Sequence, residues 1–181
     1  MLRITIEGEE LYNESTNEFS ESDPVVLELE HSLLSMSKWE SKHQKPFLGP
    51  DEKSLSETLD YIEMMITTPE FSPVVISRLS AQNHRDINEY IASPQTATTF
   101  GALPKKPGGR SETITSELIY YWMVAFNIPF DCEKWHLNRL FALVRVCNIK
   151  NSKPKKMSRN EIAQRNRELN AQRKAQLGTT G

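Results

Sequence analysis

The sequence predicts a mainly α protein: a helical bundle with a small N-terminal β-hairpin and a separate basic C-terminal helix. Three observations predict it. Apolar residues recur with the 3.6-residue helical period through most of residues 33–150. Residues 1–7 instead alternate Leu2, Ile4 and Ile6 with Arg3, Thr5 and Glu7, the period of a half-buried strand. Beyond Ser152 large apolar residues become sparse while cations accumulate. The expected organisation is an acidic β-element over 1–32, a helical core over 33–150 and a basic helical tail over 151–181.

Each element has a local reason. Gly8–Asp23 is polar and reads as a loop, and Val25–Leu29 after Pro24 is a second strand able to pair antiparallel with the first. Two strands alone need a helix to cover them. His31–Lys42 reads as a helix with Leu33, Leu34, Met36 and Trp39 as its apolar positions, stopped before Pro46, which has no N–H to continue it. Lys45–Pro50 is a bend with an apolar tip, Phe47-Leu48. Ser54 with Glu57 forms a capping box opening a helix through Ile66. Pro73 starts a short helix to Leu79, and another covers about Asn83–Ala92. Prolines and glycines between Pro104 and Gly109 predict a mobile loop. Ser111 or Thr113 is the expected cap of a helix over Ile114–Asn127, which Pro129 ends. Asp131 is the expected cap of the next, reaching about Asn148. That helix is apolar nearly all round, which predicts a place in the middle of the bundle. Ser158 with Glu161 is a second capping box, starting a helix to about Leu177 that has little to bury.

Charge is divided between the ends. Residues 150–181 hold nine basic and two acidic side chains, a net of +7, whereas the first 149 carry −9. Residues 1–32 alone hold nine acids against one base, Arg3. Such asymmetry points to docking on a partner rather than to chemistry. No apolar run approaches the ~20 residues that cross a bilayer, and the N-terminus lacks a signal-peptide pattern, so a soluble intracellular protein is expected. Cys132 and Cys147 read as free thiols; if one helix held both, they would stand about 22 Å apart, beyond disulfide reach.

Candidate chemistry is thin. Cys132 and His136, four apart, would share a helical face and offer two metal ligands, but no further ligands lie near, and a core cysteine with a partly buried histidine is the stronger reading. His31, His43, His84 and His136 are scattered without a nucleophile signature. Gly108-Gly109 lacks the strand and helix entry of a phosphate loop. No enzyme, cofactor or metal is expected. The basic tail is the better functional candidate: it suits phosphate neutralisation on a nucleic acid, a solvated helix, or folding onto a protein partner or an acidic neighbouring subunit. The absence of interleaved aromatics and the acidity of the body make nucleic acid the weaker of these.

Several segments carry a family likeness: Leu29–Lys42 running into Lys45-Pro46-Phe47-Leu48, Pro94–Phe100, Glu117–Met123 continuing through Ile128-Pro129-Phe130 to Lys134–Leu140, and Pro154–Ser158 with Arg165–Ala171. Together they resemble the tail assembly chaperones of tailed bacteriophages over nearly the whole chain. The resemblance implies a non-enzymatic protein of the host cytoplasm that binds the tape-measure protein, keeps it soluble, assists the tail tube protein in assembling around it, and is absent from the finished virion. Homo-oligomers and a frameshift-extended form are compatible with it. On that expectation Trp39, Phe47 and Leu48, flanked by Lys38, Lys42 and Lys45, are one candidate contact set; for Trp39 burial favours a core role instead. Arg159, Arg165, Arg167, Arg173 and Lys174 are the other. A nucleic-acid-binding accessory protein and a structural tail component are the alternatives.

Overall fold

Two strands, β1 (Leu2–Ile6) and β4 (Val25–Leu29), pair antiparallel with Ile4 opposite Leu27. The computed structural model describes residues 1–13, 17–100, 113–152 and 159–178. The alternation read in the sequence places Ile4, Ile6, Leu27 and Leu29 inward as part of the core. Between these strands the sequence predicts a loop, and the structure corrects it: β2 (Glu10–Asn13) and β3 (Glu18–Glu21) pair antiparallel, Glu10 opposite Glu21. Both pairs follow the same register, so they are one long hairpin interrupted in the middle. Pro24, with no N–H to give, lies at the interruption. There Ser22 N–H donates to the Glu9 carbonyl at 2.9 Å, while Glu9 N–H turns to Ser22 Oγ at 2.8 Å. A Cβ on Gly8 would stand 1.8 Å from the Ser22 carbonyl oxygen. Gly8→Ala must therefore push the two strands apart, at roughly 1–3 kcal/mol by the usual cost of overpacking. The urea midpoint measures it, and an unchanged midpoint would contradict so close an approach.

The helices are α1 (Leu33–His43), α2 (Leu55–Met65), α3 (Ala81–Ala92), α4 (Ser116–Ala125), α5 (Leu137–Asn151) and α6 (Arg159–Leu177), with 3-10 turns at Pro73–Arg78 and Phe130–Lys134. The chain divides into two units, Met1–Asn148 and Ile149–Gly181. Reciprocal serine or serine–asparagine caps begin α1 (Ser32 with Ser35) and α3 (Ser80 with Asn83), and the expected Ser54–Glu57 box begins α2. Thr115, not Ser111 or Thr113, caps α4. The Pro104–Gly109 loop, Ser111 and Ser158 lie outside the described residues.

The expected central helix is also corrected. α1 occupies the middle, packed against α2, α4 and the second 3-10 turn, with Leu33, Met36 and Trp39 fully buried. α5 buries Leu137, Leu140, Ala142 and Val144, but Val146 and Cys147 are only partly covered and Ile149 is exposed. Nor does Asp131 cap α5: it lies in the 3-10 turn, after which Trp135 is extended. Tertiary pairing explains the break. His136 bridges Ser32 as an isolated antiparallel pair, and Leu137 N–H donates to the His31 carbonyl at 2.7 Å. The backbone must be extended there, so the helix restarts one residue later. Cys132 and Cys147 consequently belong to different elements, and both are free thiols.

Beneath this junction the hairpin is tied to α2. Glu30 N–H donates to Met65 O and Thr67 N–H to Glu28 O, each at 2.8 Å, continuing β4 past its end.

Candidate partner-binding surfaces

The tip expected around residue 47 folds inward. Trp39 is 1% exposed and its Nε1–H donates to the Glu57 carbonyl at 2.8 Å; Phe47 meets its ring edge-on at 5.2 Å. Both are core residues rather than surface contacts, leaving only Leu48, 41% exposed, of the three candidates on the surface. Two of the flanking lysines are engaged: Lys42 with Asp60 at 3.0 Å and Lys45 with Glu57 at 2.7 Å. The Lys45 ammonium and the Ser54 amide hold the Glu57 carboxyl down to about 2. The physical reason for the inward fold is Glu40. Its Oε1 accepts from Phe47 N–H at 2.7 Å, which turns the chain after α1 back over the helix.

Arg159, Arg165, Arg167, Arg173 and Lys174 all lie on α6, whose described side chains are exposed throughout. Their spacing sorts them. Ile162, Arg165, Leu169, Arg173 and Leu177 follow one another at intervals of three or four residues, so they form one stripe in which apolar and cationic residues alternate. Arg167 and Lys174, seven apart, line a neighbouring flank.

A third surface was not legible beforehand. Trp122 of α4 and Phe126, which caps its C-terminal end, with Phe141, Val144, Arg145 and Asn148 of α5, line an open groove of about 420 Å³. Tyr121 and Val124 of α4 are exposed too, on the side of the helix turned away from Trp122 and Phe126. The available signal was the unbroken apolar run from Leu118 to Phe126: a ten-residue helix burying only Ser116, Ile119 and Met123 cannot hide all of it. Such an exposed apolar patch is a candidate interaction surface.

The histidines do different work. His31 and His136 are 4% and 5% exposed, their rings edge-to-face at 5.1 Å. His136 Nδ1 accepts from Asn138 N–H at 3.2 Å, so Nε2 carries the proton and donates to the Tyr90 carbonyl at 3.0 Å. The imidazole thus acts as a cap for α5, and both ring nitrogens are occupied; no shared face with Cys132 exists for a metal. Among the described residues no cluster of three or more ligating side chains could hold a metal ion. His31 Nδ1 lies 2.5 Å from Tyr61 Oη, and Tyr90 Oη–H donates to Glu30 at 2.6 Å.

Burial, aided by the neighbouring His136, pushes His31 down to about 4, and burial lowers His136 as well. The folded state therefore binds fewer protons than the unfolded chain between pH 6.5 and 4, and stability falls as pH is lowered through that window. His31 alone removes roughly 2 kcal/mol on going from pH 7 to pH 5. Urea unfolding at the two pH values checks this, and a flat profile would contradict the buried neutral pair.

Comparison with known protein families, with curated proteins and with solved structures returned no match. Among the described residues no helix is long and apolar enough to cross a membrane.

Proposed function

We propose that this chain is a non-enzymatic tail assembly chaperone of a tailed bacteriophage, binding the tape-measure protein in the host cytoplasm and assisting assembly of the tail tube around it. The sequence resemblance suggests the class, and the open α4–α5 groove is the observation that carries the mechanism. A tape-measure chain is long and helical, and its apolar faces need cover until the tube encloses them. A groove walled by Trp122, Phe126, Phe141 and Val144 takes large apolar side chains from one face of such a helix. Arg145, whose guanidinium lies over the Phe100 ring at 4.1 Å, is the cation among the lining residues and matches an acidic flank on the incoming helix.

The test is co-expression with the tape-measure protein of the same phage. The wild-type chain is expected to raise the soluble fraction of tape-measure protein, and Phe126→Lys with Phe141→Lys, two partly buried residues that line the groove, to lose that effect while keeping a wild-type circular dichroism spectrum. Unchanged tape-measure solubility with the wild type, or full rescue by the double variant, would overturn the reading. The five cations of α6 favour a nucleic-acid-binding alternative. That reading requires a mobility shift that weakens steeply between low and moderate salt.

A further inference from the structure

We infer that the outer face of α4, continued by the second 3-10 turn, receives the Ile162–Arg165–Leu169–Arg173–Leu177 stripe of α6 from a second copy of this chain. The inference stands apart from the tape-measure reading, because it uses neither the groove nor its occupant.

The receiving face supplies the first half of the argument. Glu117, Tyr120, Tyr121 and Val124 follow one another at intervals of one to four residues that keep them on one side of α4. A different side, with Ser116, Ile119 and Met123, meets the core. The helix is therefore apolar on the outside too, where Tyr121 is 65% and Val124 61% exposed. The 3-10 turn widens this patch. Phe130, 57% exposed, sets its ring 6.2 Å from that of Tyr120, whose Oη–H donates to Glu133 at 2.8 Å. Tyr120 thus has three exposed apolar neighbours: Tyr121 next in the chain, Val124 one turn on, and Phe130 across from its ring. Acids edge the patch. Glu117 lies one turn before Tyr121, Asp131 follows Phe130, and Glu133 holds Tyr120, against a single cation in that turn, Lys134. An apolar centre with a charged rim is the make-up of a protein interface.

The helix supplies the second half. Ile162, Leu169 and Leu177 are 45%, 39% and 73% exposed on α6, and Arg165 and Arg173 stand one turn to either side of Leu169 in the same stripe. A nucleic acid would use the arginines but leave the isoleucine and leucines without a partner. An apolar patch edged by carboxylates uses both. Arginine suits it further, because the guanidinium pairs with carboxylates through two hydrogen bonds and stacks on aromatic faces such as those of Tyr121 and Phe130. Dimensions agree: Ile162 to Leu169 and Glu117 to Val124 are equal intervals, about 10 Å of helix each. The occupant is a second copy because both halves belong to one chain and their wider surroundings match as well, −9 over residues 1–149 against +7 over 150–181. A contact of this kind is heterologous: each copy offers a helix to one neighbour and a face to another, and chains or rings of subunits result.

Sedimentation velocity on the full chain tests it at about 0.1 M and about 1 M salt, between which the screening length falls from about 10 Å to about 3 Å. Concentration-dependent association is expected at the lower salt and its weakening at the higher. Arg165→Glu with Arg173→Glu is expected to weaken association about tenfold or more; Tyr121→Ser with Val124→Ser does the same from the other side. Each double variant keeps the half that the other lacks, so an equal mixture is expected to form a one-to-one complex. A monomer at every concentration in low salt, including one whose helix folds back on its own α4, would overturn the inference. So would association that survives either double variant, that high salt leaves unweakened, or that the mixture fails to restore. All four positions are exposed, and equal circular dichroism spectra keep a folding defect from imitating the expected loss.

Discussion

Trp39→Ala is expected to destabilise the folded body by about 3–5 kcal/mol, the range for emptying a buried large aromatic site. Trp39 is 1% exposed at the centre of α1, the helix that packs against both α2 and α4. Its ring touches Phe47 at 5.2 Å and His43 at 4.6 Å, and its Nε1–H reaches the Glu57 carbonyl in the first turn of α2. Truncation leaves a cavity and removes the indole's hydrogen bond from a carbonyl that keeps only its helical partner. Trp39→Phe fills most of the space and loses the hydrogen bond, so it should cost about 1–2 kcal/mol. Urea unfolding followed by far-ultraviolet circular dichroism separates the two. The same pair of variants judges the role the sequence offered for this residue. A Trp39→Ala protein of wild-type stability that no longer held its partner would make Trp39 a contact after all; a partner lost only in proportion to unfolding makes it core.

The mainly helical fold with its N-terminal hairpin was legible because its signals are local. Alternation in Leu2–Ile6 and Val25–Leu29 set the strand pair, and Ser54 with Glu57 set the start of α2. β2 and β3 were not, because their pairing continues the β1–β4 register and the polar run Gly8–Asp23 has no alternation of its own to announce it. The break between the second 3-10 turn and α5 was hidden for a different reason: it is imposed by Ser32, more than a hundred residues away, through the bridge to His136. The candidate site divided along the same line. The cations of α6 could be read from sequence because a helix with little to bury displays whatever it carries. The residue-47 tip was misjudged because its direction depends on Glu40, which looks like any surface glutamate in a helical run. The α4–α5 groove depends on which faces of two helices the rest of the protein leaves uncovered, and no single segment states that.

Glu40 is the residue whose loss should be felt most widely after Trp39. It is buried, and its two oxygens hold two separate pieces of chain: Oε1 accepts from Phe47 N–H and Oε2 from Ser116 N–H, both at 2.7 Å. Ser116 begins α4, where backbone N–H groups have no helical acceptor and the helix dipole favours negative charge. One carboxylate therefore fastens the turn after α1 and the start of the helix that walls the groove. Glu40→Gln keeps the shape but turns an NH₂ group toward one of the two donors, so a charge-assisted bond is replaced by a donor facing a donor. The expected cost is about 2 kcal/mol, and Glu40→Ala, which strands both amides, should cost about 4 kcal/mol. Hydrogen exchange adds a readout that simple destabilisation does not give. In Glu40→Gln the amides of Phe47 and Ser116 should exchange faster than those of α3, which Glu40 does not touch. Uniform acceleration across the body, or wild-type stability in the glutamine variant, would show that Glu40 does not bridge these two segments. If it does bridge them, groove binding should weaken in Glu40→Gln even under conditions where the body stays folded, since the first turn of α4 is then free to fray.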